Sequence, residues 1–344
     1  MQKIVITGGA GYIGSHVCLA LHAAGYEPVI LDALTDTRRS VLERLQRLKG
    51  QPMVVEHCSL EDGGLVRQVL ERHQPVAVIH LAAPPGLRLP AVKENQRARS
   101  KALDAHVWYG LNLIQAMEAA GCRTLLAAGS DDVYAQPALA PLAESAMKAS
   151  HMQPGDASHA LEGLYEAVHT TSRAWRIGVL RLFEVVGAHP SHGLGPAMAR
   201  EHPDWLMEMA HVAAGLLPEV CVRGHGLPTP DGTAVMDYVH VQDVAQAFIQ
   251  ALDTLETYGE SFVVNIGSGR PTSMLDALTC FEATCGKKLP VRRLPREGES
   301  PIQSVADIAL ARELLGWQPR HSLQSICEDT WRWHAHYLQH KLSA

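Results

Sequence analysis

The glycines of Thr7-Gly8-Gly9-Ala10-Gly11-Tyr12-Ile13-Gly14 are the residues whose type and spacing imply chemistry most directly. They follow an apolar strand pattern and open a helical one, and that context gives the spacing its meaning. Gly8 permits a tight turn, Gly11 lets the backbone approach a pyrophosphate, and Gly14 lets the helix pack close to its strand. The helix start, with Tyr12 and Ile13 in its first turn, supplies N–H donors and a favourable dipole for an anion. Asp32 ends the second strand pattern, where a carboxylate would hold ribose hydroxyls. The same carboxylate repels a 2′-phosphate, so NAD is favoured over NADP. A glycine turn without a ligand is the alternative, and the combination of strand, helix and acid argues against it.

The elements that must position this loop are legible as short apolar runs. Strand patterns cover residues 3–7, 27–31, 52–56, 76–80, 124–128 and 178–183, with helical stretches at 12–24, 59–72 and 102–120. Apolar strands alternating with helices predict an α/β fold, a doubly wound parallel sheet of the Rossmann kind covered on both faces. Such a sheet binds its ligand at the carboxyl ends of its strands. After about residue 184 the alternation breaks, and Pro, Gly and His become frequent. We therefore expect a dinucleotide-binding domain over 1–183 and a smaller C-terminal substrate lobe over 184–344. A helix over 239–255 and a strand over 261–267 are expected to return to the main domain.

Composition narrows the partners. The chain has 344 residues, 47% hydrophobic and 19% charged, with a net charge of -6, which argues against nucleic acid or an anionic membrane surface. Seven scattered cysteines without a CxxC pair point away from a disulfide framework and toward a reducing compartment. The N-terminus runs straight into a strand pattern, and no apolar run has bilayer length, so a cytoplasmic protein is expected. His334, His336 and His340 lie on a C-terminal helical pattern without an accompanying carboxylate. They read as a solvated helix end rather than a metal site. The basic run Arg88, Lys93, Arg97, Arg99 and Lys101 reads as a solvated face, with an approach path for an anionic substrate as the alternative.

Longer segments carry a resemblance. ILDALTDTRRSVL at 30–42, LRLFEVVGAHP at 180–190, PTPDGTAVMDYVHVQD at 228–243 and Arg296-Glu297-Gly298 run along nearly the whole chain in one order. In that order they resemble the UDP-glucose 4-epimerase family. The resemblance implies NAD, a nucleotide-sugar substrate and a two-fold homodimer. It also implies a Tyr phenolate base, a Lys four residues on, and a Ser or Thr. The Lys cation lowers the Tyr pKa from about 10 toward the operating pH. Gly129-Ser130-Asp131-Asp132-Val133-Tyr134 resembles the Ser-bearing segment. The Tyr-x-x-x-Lys segment should fall near 157–167, where His159 stands for the Tyr and Gly163 for the Lys. The only such spacing in the chain, Tyr337 to Lys341, reads as coincidence. His80-Leu81-Ala82-Ala83 resembles the stretch that passes the nicotinamide ribose, and Asp36 and Thr37 stand where the phosphates are met. Among substrate contacts, Phe183 is retained, Glu184 and Trp205 replace Asn, and Met236 replaces an Arg that meets the diphosphate. Arg296 matches, and Glu299 keeps an acid near the uridine ribose.

Three functions are compatible with these residues. One is an epimerase relative with altered chemistry, in which His159 serves as base; a neutral imidazole, ordinarily titrating near 6.5, accepts protons without a neighbouring cation. A second is a pseudoenzyme that keeps NAD or a nucleotide sugar as ligand. A third is a dehydratase or reductase, because Ser130-Asp131-Asp132 resembles the acid-bearing segment of nucleotide-sugar 4,6-dehydratases. UDP-glucose 4-epimerase activity itself is expected to be weak or absent. The dimer would use helices over 102–120 and about 161–175, with Leu111, Ile114, Val168 and Trp175 as apolar positions.

Overall fold

The computed structural model describes residues 1–34, 36–83, 96–135, 141–148, 156–198, 204–224, 226–295 and 302–342. Alternate residues of each central strand enter different cores. Ile4 and Ile6 pack on one side of the sheet and Val5 on the other; Ile30 opposes Val29 and Leu31 in the same way. A strand apolar on both faces must be covered on both faces, and this one is.

The strands are β1 (Lys3–Thr7), β2 (Glu27–Asp32), β3 (Val54–His57), β4 (Ala77–His80), β5 (Thr124–Ser130), β6 (Arg176–Leu182) and β11 (Phe262–Ile266). They form one seven-stranded parallel sheet in the order β11-β6-β5-β4-β1-β2-β3. The order reverses direction at β1, beside β4, which is the switch point where such sheets bind ligands. One face carries α1 (Tyr12–Ala23), α7 (Val241–Tyr258) and α9 (Ala309–Leu315). The other carries α3 (Gly63–His73), α4 (Gln96–Ala119) and α5 (Asp156–Thr171). α2 (Asp36–Lys49) follows β2.

Element ends depart from the sequence expectation where capping decides them. α3 begins at Gly63, later than expected, because the Asp62 carboxylate accepts the Leu65 N–H at 2.9 Å and starts the helix there. β5 runs two residues beyond 128 to Ser130, whose hydroxyl caps the single 3-10 turn Asp131–Val133.

The remaining elements build a smaller core. α6 (Trp205–Ala213), α8 (Met274–Cys285) and α10 (Leu323–Leu342) gather Leu206, Met209, Ala277, Phe281 and Ile326. Short strand pairs surround them: β7 (Glu184–Val186) with β10 (Tyr238–His240), β8 (Val220–Arg223) with β13 (Val291–Leu294), and β12 (Thr272–Ser273) with β9 (Val235–Met236) and β14 (Gln303–Ser304). Buried Asp237 stitches this region together, accepting N–H groups from Ser268, Gly269 and Ala306.

Two expectations need correction. His334 is not on a solvated helix end: it is fully buried, its ring 2.8 Å from His211 Nδ1 and stacked on Trp331. Ile114 and Trp175, offered as subunit-contact residues, are buried in the chain's own core. Among the described residues no helix is long and apolar enough to cross a membrane, and no three metal-ligating side chains gather.

Candidate active site

The glycine loop is built by close backbone approach. Gly8 has φ +71°, and a Cβ there would come within 2.9 Å of Ala82 Cα and N. A Cβ at Gly14 would run into the Gly8 carbonyl oxygen and the Gly9 backbone, so α1 lies against the turn itself. Gly11 is the N-cap of α1 and supplies no capping side chain, which leaves the first-turn N–H groups available to an anion. Beside the loop, Thr7 receives the Leu81 and Ala82 N–H groups on its hydroxyl oxygen, each at 3.3 Å. That hydroxyl lies 2.7 Å from His80 Nδ1, and burial brings the His80 pKa down to about 3, so the ring is neutral. Asp32 is buried at the end of β2, accepting Ala10 N–H at 3.2 Å and Leu34 N–H at 3.0 Å. Gly8, Gly11, Tyr12, Ile13, Gly14, Asp32, Leu81 and Ala82 thus meet at the carboxyl edge of β1, β2 and β4. The side chains of Asp36, Thr37 and the basic run from Arg88 to Lys101 lie outside the described residues.

At the end of β5, Ser130 is nearly buried and accepts the Asp132 N–H at 3.2 Å. Asp131 accepts the Ser304 hydroxyl, while Asp132 is exposed. α5 turns Leu161, Glu162 and Tyr165 inward and Ala160, Gly163, Glu166 and Ala167 outward. A Cβ at Gly163 would meet nothing within 4 Å. Ser158 and His159, half-buried, stand one turn before Glu162 toward the carboxyl edge of the sheet. Glu162 is bound by Arg181 and by Lys148, whose Nζ lies 3.1 Å from Oε2. Arg181 also donates to the Tyr134 hydroxyl at 2.9 Å, and Tyr134 donates to Asn265 Oδ1 at 2.6 Å.

All eight tyrosines have structural surroundings. The Tyr12 hydroxyl donates to the Gly187 carbonyl at 2.5 Å, and Tyr109 donates to Glu61 at 3.2 Å. Tyr134 belongs to the Arg181 network. Tyr165 is packed between α4 and α5, its hydroxyl 3.7 Å from where a Gly110 Cβ would stand, and burial pushes its phenol up. Tyr238 is buried on β10 and likewise pushed up. Tyr26 reaches Glu256 at the surface, Tyr258 is exposed, and Tyr337 packs on Trp333.

The substrate-side residues gather between the glycine loop and the small core. Phe183 is buried against Tyr134. Glu184 opens β7, and its charge is felt by Tyr12, Tyr238 and Asp204. Trp205 and Met236 pack against the small core, which accounts for apolar side chains at both positions. The Trp205 indole N–H is buried without a hydrogen-bond partner among the described residues. Asp204 was not anticipated: it caps α6 by accepting the Met207 N–H at 2.8 Å, and burial, then Glu184, pushes its pKa up to about 6. An acid directly before the apolar run WLMEMA was its signal in the sequence. Arg296 and Glu299 lie outside the described residues.

The chain carrying this arrangement is similar to known proteins over nearly its whole length. Over 96% of both chains, the sequence is 37% identical to UDP-glucose 4-epimerase of Yersinia pestis. The fold superposes with a TM-score of 0.93, at 37% identity and covering 99% and 100% of the two chains, on UDP-glucose-4-epimerase from Stenotrophomonas maltophila with bound NAD and formylated UDP-arabinopyranose. UDP-glucose 4-epimerase from Bifidobacterium longum in complex with NAD+ and UDP matches with a TM-score of 0.89 at 28% identity, over 97% and 98%. The family model for NAD dependent epimerase/dehydratase proteins matches residues 4–267, which span the whole central sheet from β1 to β11, and this chain belongs to that family.

Proposed function

We propose that this chain binds NAD on the glycine loop and a nucleotide sugar between that loop and Phe183, Glu184, Trp205 and Met236, and that it handles the sugar without a tyrosine base. The observation that carries this reading is that every tyrosine hydroxyl is surface-exposed or built into packing, with none free beside Ser130. The loop fits NAD because Gly8 and Gly14 leave a cradle that a Cβ would fill, and Asp32 meets the ribose side. When bound, NAD supplies a hydride acceptor and donor. The chain's own part is to place the sugar and move one proton. Ser130 orients the sugar hydroxyl, and His159, at the sheet's carboxyl edge, is the base in the catalytic form of this reading. The outward Gly163 is not where a lysine would reach the cleft. On the inward stripe, a lysine would stand at Ser158, and a tyrosine four residues earlier would fall at Pro154, outside the described residues.

Loss of both groups favours the second reading, a protein that holds NAD or a nucleotide sugar as a structural or sensing ligand. The dehydratase or reductase reading rests on Asp132, exposed beside Ser130. We take 1–183 as the cofactor domain and 184–344 as the substrate lobe with 239–267 returning, in a homodimer formed through α4 and α5, where Trp108 is 52% exposed. Mass spectrometry of ligand released from the purified protein, together with an assay on UDP-glucose and UDP-galactose, tests the reading. NAD with slow or no epimerisation supports it. Vigorous epimerisation sinks the absence of a base, and failure to retain or take up NAD sinks the cofactor site.

A further inference from the structure

The small lobe holds Cys280 and Cys285 on α8 and Cys327 on α10, and none of them takes part in the site above. The two helices pack along one another, and their facing side chains are identified by contacts independent of sulfur chemistry. Gln324 of α10 lies 3.3 Å from the Cys280 sulfur through Oε1 and 3.4 Å from the Thr284 hydroxyl through Nε2. Cys280 and Thr284 are one turn apart on α8, so that stripe faces α10. Cys327 stands three residues beyond Gln324, on the same side of α10, and belongs to the small core against which Cys280 packs. Cys280 is partly exposed, whereas Cys327 is fully buried.

We propose that Cys280 and Cys327 form an oxidisable dithiol, converted by small disulfides of the glutathione type into an intramolecular disulfide that ties α8 to α10. The order of events follows from access. The exposed Cys280 thiolate attacks one sulfur of the small disulfide, forming a mixed disulfide and releasing one small thiolate. Cys327 then gives up its proton to solvent and attacks the Cys280 sulfur, forming the protein disulfide and releasing the second small thiol. Two protein thiols are oxidised and one small disulfide is reduced to two thiols. The neighbouring Cys327 brings the Cys280 thiol down to about 7, which suits it to attack. The same proximity and burial push Cys327 up, so it acts second.

The crosslink would bear on the candidate active site. α10 also carries Asp329, which accepts from His240 at 3.2 Å. The His240 ring lies where a Cβ on Gly187 would be, and the Gly187 carbonyl receives the Tyr12 hydroxyl of the glycine loop.

The test uses the reduced full-length protein, exposed to oxidised glutathione, then denatured, alkylated and mapped by mass spectrometry. Two of the seven cysteines should escape alkylation, joined in one Cys280–Cys327 peptide pair, and dithiothreitol should restore both. Cys327→Ser should stop at a single glutathionyl group on Cys280, and Cys285→Ser should oxidise like the unmodified protein. Complete alkylation, a lasting glutathionyl group on Cys280 in the unmodified protein, or a Cys280–Cys285 link would overturn the proposal.

Discussion

Arg181 grips Glu162 with two parallel bonds of 2.8 Å, Nε to Oε1 and Nη2 to Oε2, joining β6 to α5 inside the sheet–helix interface. The pair sets which face α5 turns to the sheet. Glu162 lies beside Gly129, one residue before Ser130, so the pair also sets what the first turn of α5 can present to the cleft.

Breaking that pair should be costly. Both side chains are almost fully buried, so Glu162→Gln leaves the Arg181 charge without its carboxylate and should destabilise by about 3–5 kcal/mol in urea unfolding, whereas Arg181→Met should cost less because Lys148 still pairs Glu162. Burial opposes ionisation of Glu162, but Arg181 and Lys148 prevail and hold its carboxyl below the ordinary value. A depressed folded pKa stabilises above the unfolded pKa and loses that stabilisation as pH falls through the folded value. The cost of Glu162→Gln should therefore shrink in acid. A pH-independent cost would contradict the ionised pair.

Glycine substitutions should separate packing from ligand binding. Gly14→Ala meets the Gly8 and Gly9 backbone and should cost about 1–3 kcal/mol. Gly163→Ala enters open space on a helix and should stabilise by up to about 1 kcal/mol. Gly11→Val should abolish thermal stabilisation by NAD. Equal effects at Gly14 and Gly163 in a melting experiment would contradict the geometry.

NAD should raise the melting temperature more than NADP does, because the buried Asp32 carboxylate faces the site of the 2′-phosphate. Asp32→Asn should narrow that gap. Equal shifts from both cofactors in the unmodified protein would remove Asp32 as the selector.

Asp204 should make stability fall with rising pH. Its folded pKa of about 6 exceeds the ordinary 3.8, so the folded state binds the proton more tightly. Stability from this group is then full below about pH 4 and lost as pH rises through about 6. Two pKa units correspond to about 3 kcal/mol, an upper bound here. Asp204→Asn keeps a capping oxygen and should gain stability at pH 8 but not at pH 4. A gain of equal size at both values would rule out the proton as the cause.

Turnover should discriminate the catalytic residues. Tyr165→Phe should leave any activity unchanged, since that hydroxyl is buried away from the cleft. Gly163→Lys should restore nothing, because the position points outward. His159→Ala should remove activity if the histidine is the base, by about 10²- to 10⁴-fold. Unchanged turnover in His159→Ala, on a substrate the unmodified protein converts, would take His159 out of the mechanism.

Local chemistry made much of this protein legible in its residues. The glycine spacing, Asp32 and the apolar strand runs depend on contacts within one strand–turn–helix unit, and β1 lies where the pattern put it. The serine at the end of β5 and the apolar character of Trp205 and Met236 were readable too. Other features depend on residues far apart in sequence. Which side of α5 faces the sheet is decided by Arg181, nineteen residues beyond Glu162, so the outward Gly163 could not be assigned by matching spacing. The close approach of Leu161 to α4 depends on Gly110, where a Cβ would run into the Leu161 side chain. His334 looked solvated until His211 of α6 met it. The Asp204 pKa depends on burial and then on Glu184, and the packing of Cys327 toward Cys280 depends on two helices forty-odd residues apart. Periodicity reports what a residue needs, but only packing decides which distant partner supplies it.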